Sequence, residues 1–193
     1  MAARKETKAV RAMFRQGKMR AHSFHEITPP AAEAGRTHRY GMAPVMTKKI
    51  TTRIQMDAPV NDVWAVLADF ANYPSWNPFI VEISGQCTLG ASLRIAVILQ
   101  PPKRQTFEAT LLTLVPAQSL AWRGSWKGST WLFCGLHQFD LRSLPNARTE
   151  LTHSEAFSGL LSAPIFHSIR HDTERGFGAM NAALERRLCA SPT

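Results

Sequence analysis

The sequence predicts an α+β fold, a bent seven-stranded antiparallel sheet wrapped around one long C-terminal helix, with two short helices after the first strand. Three observations carry this expectation. Residues 48–56 alternate, with Ile50, Ile54 and Met56 two or four apart, the period of a half-buried strand. Six further strand-length segments follow between turn signals, the spacing of an antiparallel meander. The chain then closes on a single long stretch of helical periodicity.

In the first strand, Ile50, Thr52, Ile54 and Met56 share one side, and Lys49, Thr51, Arg53 and Gln55 the other. The next segment reads DAPVNDVWAVLADF. Asp57 is a candidate N-cap and Pro59 suits the first helical turn. Val60, Val63, Trp64 and Leu67 then recur at i, i+3, i+4 and i+7, one face of an amphipathic helix. A second short helical turn is expected to begin at Asp69-Phe70 and to end at Pro74, because the residue before a proline avoids helical geometry. The segment after it, YPSWNPF, carries Tyr73, Trp76 and Phe79, either as a hydrophobic plug or as the lip of a cavity.

The remaining strands are expected at 79–83, 92–99, 106–115, 119–126, 131–141 and 148–157. Gly85, Pro101-Pro102, Pro116 and Pro145-Asn146 punctuate them. The final helix spans about 164–188, with Ile165, Ile169, Phe177, Met180, Leu184 and Leu188 as its apolar stripe. Gly176 and Gly178 interrupt it at about 1 kcal/mol each relative to alanine, which points to close packing or a bend. A sheet that wraps a helix without collapsing onto it leaves an internal cavity suited to an apolar ligand.

Charge divides the chain in two. Residues 1–49 hold 11 Lys/Arg against 3 Glu, and residues 50–193 hold 12 against 11 Asp/Glu. The domain expected over 47–190 is therefore nearly neutral and shows no basic patch for nucleic acid. Residues 1–46 read as a basic extension: a disordered arm, a targeting or membrane-surface helix, or an upstream start preceding Met42 and Met46. No run reaches the roughly 18–20 apolar residues of a transmembrane helix. Cys87, Cys134 and Cys189 are odd in number and have no metal-binding spacing, so free thiols and a cytoplasmic setting are expected, with organelle targeting by the basic segment as the alternative.

The element order, together with DAPVNDVWAVLADFANYPSWNPFI, resembles the SRPBCC superfamily, the START-like or helix-grip proteins, and within it the polyketide cyclase/dehydrase branch. The matching residues are Ala58-Pro59, Val63-Trp64, Asp69, Tyr73-Pro74, Trp76 and Asn77-Pro78. Later matches are Trp122 with Gly124, His137-Gln138-Phe139, residues 149–159, and Arg175-Gly176-Phe177 through Asn181. The resemblance covers about 48–188 and is more specific for fold than for function, since the superfamily hosts lipid carriers, hormone receptors, cyclases, chaperone co-factors and ring-hydroxylase subunits. It implies a cavity under the long helix, open near the loop after the second short helix, with Tyr73, Trp76 and Phe79 near the entrance.

Strand alternation nominates the cavity's polar groups. Odd positions of 131–141 and of 149–157 are mostly apolar, yet include His137 in one strand and His153 and Glu155 in the other. An ionised Glu on an apolar face needs a partner, and Arg94 is a candidate. A buried pair that only fixes the fold, a ligand-orienting group and a general acid–base are the competing readings. An aldol cyclisation would need a base of near-neutral pKa facing an oxyanion donor. The candidate ligand-binding residues are Trp64, Tyr73, Trp76, Phe79, Arg94, Trp122, Phe133, His137, Phe139, His153, Glu155, Phe157, Phe177 and Met180, with Trp126 a further aromatic candidate. His137, His153 and Glu155 are the catalytic candidates.

The sequence has no GxSxG elbow, P-loop, GxGxxG or HExxH motif, and no cofactor is expected. His167 and His171 have i, i+4 spacing but no third ligand in register, which favours a solvated pair over a metal site. The expected function is binding of a hydrophobic small molecule or lipid, as a carrier or sensor. A cyclase/dehydrase-type enzyme using a cavity His or Glu is the alternative, and a protein-partner module with a filled cavity has little support.

Overall fold

The computed structural model describes residues 48–126 and 129–190. The three readings of the basic segment 1–46 fall outside these residues, as does the side chain of Trp126. The strands are β1 (Lys48–Met56), β2 (Ile80–Ser84), β3 (Ser92–Gln100), β4 (Lys103–Val115), β5 (Ser119–Trp126), β6 (Ser129–Leu144) and β7 (Arg148–Ser158). Helix α1 (Val60–Ala68) follows β1, then a 3₁₀ turn (Phe70–Asn72) and α2 (Tyr73–Trp76). Helix α3 (Ser162–Ala190) closes the chain.

The strands form one antiparallel sheet in the order β1-β7-β6-β5-β4-β3-β2. Every neighbouring pair from β2 to β7 is consecutive in sequence, and β1 closes onto β7. Register shifts at Ile80/Glu82, Ile98/Gln100, Leu111/Thr113 and Ser125/Trp126 interrupt the ladders. Such irregularities bend strands and increase twist. They let the sheet curl so that its concave face meets α3.

Alternation decides what faces inward. On β3, Leu93, Ile95, Val97 and Leu99 are buried, as are Thr149, Leu151, His153 and Phe157 on β7. From α3, Ile165, Phe177, Met180 and Leu184 enter the same core. The turn from β7 into α3 depends on Gly159, with φ of +100°. A Cβ there would also meet the Leu132 carbonyl oxygen at 2.7 Å. Arg175 ties α3 to the sheet by donating to the Leu99 carbonyl at 3.1 Å and pairing with Asp172 at 2.7 Å.

Two local expectations are corrected. Pro59, not Asp57, occupies the N-cap position of α1, and no side chain caps it. Pro74 does not end the second helical segment but lies in the first turn of α2. First-turn N–H groups have no intrahelical partner, so proline loses nothing there. The chain leaves α2 through Asn77, which is buried. Its Oδ1 accepts from the main-chain N–H groups of Phe79 and Ile80, both at 2.9 Å, and so turns the backbone into β2.

Candidate functional site

Three lateral rows of the sheet build the site. In the first, Trp122, His137, Glu155 and Ile50 stand side by side on β5, β6, β7 and β1. In the second, Leu120, Phe139, His153 and Thr52 do the same. In the third, Gly124 pairs with Gly135, which pairs with Phe157. Two adjacent glycines leave the concave face without side chains at that point. A cavity of about 70 Å³ opens there, between the sheet and α3.

Trp122, Phe133, His137, Phe157 and Phe79 form buried walls of the cavity. Gln105, Phe107, Glu155 and Ile169 are its half-buried members, and Gln105, Phe107 and Ile169 mark the open side, between β4 and α3. Thr173 lines it from α3. The Trp122 and His137 rings stack with centroids 4.8 Å apart and planes 5° apart. Phe133 and Phe157 stack at 5.9 Å.

Glu155 is the acidic group of the hollow. Its side chain keeps 20 % of its surface accessible, and its Oε2 lies 3.6 Å from His137 Nδ1. The carboxyl lines a wall that is otherwise largely apolar, and loss of hydration raises its pKa to about 7. The same burial lowers His137 to about 3, so this imidazole is neutral at physiological pH. His153 is also held neutral, by burial first and then by the neighbouring His137.

Below the cavity the polar atoms are joined. His137 Nε2 lies 3.0 Å from His153 Nε2, and His153 Nδ1 lies 3.0 Å from Asn181 Oδ1. Asn181 Nδ2 donates to Thr52 Oγ1 at 3.0 Å. Phe177 stacks on His153 at 3.6 Å, sealing it from the cavity side of α3.

The structure therefore brings Phe79, Trp122, Phe133, His137, Glu155 and Phe157 to one hollow. Tyr73, Phe139, His153, Phe177 and Met180 are fully buried in the core around it and do not line it. Tyr73 is a core plug: its hydroxyl donates to the Leu67 carbonyl at 2.9 Å, and burial raises its pKa far above the usual range. Trp64 and Trp76 are half-buried against the core, Trp76 beside Tyr73 at 5.2 Å. The opening is thus at β4 and α3 rather than beside α2, and of the three aromatics near α2 only Phe79 reaches the cavity.

Arg94 does not approach Glu155. Leu93 and Ile95 point inward, so Arg94 falls on the outer face, exposed and in register with Glu108. His167 and His171 are exposed on α3. No group of three or more His, Cys, Asp or Glu among the described residues is placed to hold a metal ion. No helix among them is long and apolar enough to cross a membrane. The three cysteines are free thiols.

Sequence reasoning did not nominate Ile95, Val97, Leu99, Gln105, Phe107, Gly124, Gly135 or Thr173 as cavity residues. Strand alternation in β3 carries a signal for the first three. Two glycines inside strands, where glycine weakens the ladder, carry one for the hollow itself.

The profile of the family described as polyketide cyclase/dehydrase and lipid transport matches residues 47–188. The chain belongs to this family. Solved structures share its fold. The Zhui aromatase/cyclase from a Streptomyces species is 21 % identical, with a TM-score of 0.60 over 75 % of this chain and 97 % of that one. A START superfamily protein from Mycobacterium smegmatis is 16 % identical, with a TM-score of 0.58 over 72 % and 96 %. Truncated norcoclaurine synthase from Thalictrum flavum is 12 % identical, with a TM-score of 0.59 over 77 % and 97 %. At these identities the likeness shows the helix-grip fold. No curated protein matches the chain.

Proposed function

We propose that the protein binds a small, mostly apolar molecule in the cavity under α3, with Glu155 and His137 as its polar points. The observation that carries this reading is a carboxyl group on the wall of an apolar hollow, with no Lys or Arg among the described residues that line it. A largely desolvated carboxyl without a cation is costly, and an apolar residue would serve the fold better. Gly124 and Gly135 reinforce it, because they open space in the hollow, Gly135 directly beside that carboxyl, where larger side chains would close the core. The family's description, which includes lipid transport, agrees with an apolar guest.

The cavity of about 70 Å³ is tight. A hollow of about 150 Å³ accommodates benzene, and common ligand pockets span roughly 300–1,000 Å³. A ring-sized guest therefore pushes aside side chains at the open side, where Gln105, Phe107 and Ile169 are already half-exposed. Native mass spectrometry of the full chain, followed by denaturing analysis of what is released, tests the reading. A stoichiometric apolar adduct is expected. Repeated preparations with a clean apo mass, together with no binding of added apolar compounds, would sink it.

A second reading is favoured by one specific observation. A carboxyl group whose pKa is raised to about 7 can both take and give a proton near neutrality. Glu155 would then act on an acidic C–H or a hydroxyl of the guest, as the cyclase/dehydrase part of the family's description suggests. A bell-shaped or sigmoid rate profile centred near pH 7 and lost in Glu155→Gln is the expected signature.

A further inference from the structure

The hydrogen-bond chain below the cavity fixes where its protons sit, and on the binding reading above this defines the class of ligand. The chain starts from the backbone. Thr52 Oγ1 donates its proton to the main-chain carbonyl of His153 at 3.4 Å. Its oxygen therefore accepts from Asn181 Nδ2. This orients the amide, leaving Asn181 Oδ1 toward His153 Nδ1. A carbonyl oxygen only accepts, so His153 carries its proton on Nδ1. His153 Nε2 is then a bare acceptor, and His137 Nε2 must donate to it. A neutral imidazole with its proton on Nε2 has a lone pair on Nδ1. That lone pair faces Glu155 Oε2.

We propose that Thr52 and Asn181, acting through His153, hold His137 as its Nε2–H tautomer, so that Glu155 stands in the cavity as a neutral acid with its proton toward His137 Nδ1 and its Oε1 free to accept from a neutral ligand hydroxyl. The surroundings fit a neutral acid. The cavity wall from β3 is Ile95, Val97 and Leu99, that from β4 is Gln105 and Phe107, and that from β5 is Trp122. From α3 come Ile169 and Thr173, and the β1 neighbour of Glu155 is Ile50. His137 and, behind it, His153 are thus the titratable groups beside Glu155 in the cavity wall, and Lys48, two residues before Ile50 on the same face of β1, stands opposite Phe157. Burial, which raises the Glu155 pKa and lowers that of His137, acts in the same direction.

A second observation points to the ligand independently. Thr173 lines the cavity from α3 and is only 1 % exposed, and its Oγ1 has no hydrogen-bond partner. A buried hydroxyl without a partner is costly, and a ligand oxygen would relieve it. Glu155 Oε1 accepts and Thr173 can donate. A hydroxyl group serves both roles, and so do a hydroxyl and a carbonyl on one molecule. The class is a neutral alcohol or phenol on an apolar frame, not a carboxylate or a charged amine. Thr52, Asn181 and His153 are positioning residues in this scheme and do not touch the ligand.

Two measurements on the full chain test it, and they fail separately. The first needs no ligand: long-range proton–nitrogen spectra of ¹⁵N-histidine-labelled protein between pH 5.5 and 8. His153 is expected as the Nδ1–H tautomer and His137 as the Nε2–H tautomer, neither taking a second proton. Asn181→Leu should release His153 into a mixture of tautomers. Reversed tautomers, or an imidazolium at either ring at pH 6, would overturn the relay whatever the cavity binds. The second measurement is calorimetric titration with p-cresol, toluene and p-toluate. p-Cresol should bind about tenfold more tightly than toluene, the worth of one neutral hydrogen bond, and p-toluate should not bind. Glu155→Leu should lose that tenfold, and Glu155→Gln should recover it, because its amide nitrogen can face the His137 Nδ1 lone pair while its oxygen still accepts. Equal binding of p-cresol and toluene overturns the hydroxyl selection. Failure of all three compounds to bind overturns the cavity-binding reading itself, while the tautomers stand on their own spectra.

Discussion

The backbone of Gly176 on α3 lies against the ring of Phe79, so closely that a Cβ there would sit 2.3 Å from Phe79 Cδ2. This contact sets how near the helix comes to the sheet beside the cavity. Gly178, two residues on, faces open space. Alanine is worth about 1 kcal/mol over glycine in a helix interior, whereas overpacking typically costs about 1–3 kcal/mol. Gly176→Ala is therefore expected to destabilise by up to about 2 kcal/mol and Gly178→Ala to stabilise by up to about 1 kcal/mol, read from urea unfolding midpoints at constant slope.

Stability should depend on pH through Glu155. Its folded pKa is raised from 4.5 to about 7, so between these values the folded chain holds a proton that the unfolded chain has released. Stability falls as pH rises through that window, and the penalty is complete above pH 7. His137 works in the opposite sense, since its pKa falls from 6.5 to about 3 and its penalty grows as pH drops below 6.5. Glu155→Gln removes the first effect and keeps the second. From pH 5 to pH 8 the variant should gain roughly 2–3 kcal/mol on the wild type. A gap that does not widen with pH would show that the carboxyl is well hydrated.

The polar chain should be costly to cut in its middle. Asn181→Leu leaves His153 Nδ1–H buried with no acceptor, an expected loss of about 1–3 kcal/mol. Thr52→Val removes only the outer link, and about 1 kcal/mol is expected. Thermal unfolding of both variants checks the order, and equal losses would show that the chain is not anchored as described.

Filling the hollow should end binding while the fold survives. A Cβ at Gly135 would meet Glu155 Oε1 at 3.0 Å, so Gly135→Ala crowds the carboxyl. A Cβ at Gly124 meets Phe107 at an ordinary 3.4 Å. Titration with an apolar phenol should show a loss of tenfold or more for Gly135→Ala and a smaller one for Gly124→Ala, with far-ultraviolet circular dichroism unchanged in both.

The fold was legible because its signals are local and periodic. Alternation in residues 48–56 and the stripe from Ile165 to Leu188 each report the core face directly. The same alternation placed His137 and Glu155 among inward residues. What it did not reveal depends on contacts between elements. Arg94 was nominated for its charge, although its neighbours Leu93 and Ile95 already consign it to the outer face. The segment around W-N-P fits a plug and a cavity lip equally well in sequence, and only the contacts decide: Asn77 uses its side chain to turn the backbone and Tyr73 spends its hydroxyl on Leu67. Thr173 carries no sequence signal as a cavity residue, because its unpaired hydroxyl matters only once α3 lies across the sheet.

The most direct measurement is carbon NMR of the Glu155 carboxyl, assigned by its absence in Glu155→Gln and followed from pH 4 to pH 9 with and without p-cresol. A midpoint near 7 that moves when p-cresol is added is the expected result, and it would place a desolvated, ligand-accessible carboxyl in the cavity. A midpoint near the ordinary 4.5, unmoved by p-cresol, would contradict it.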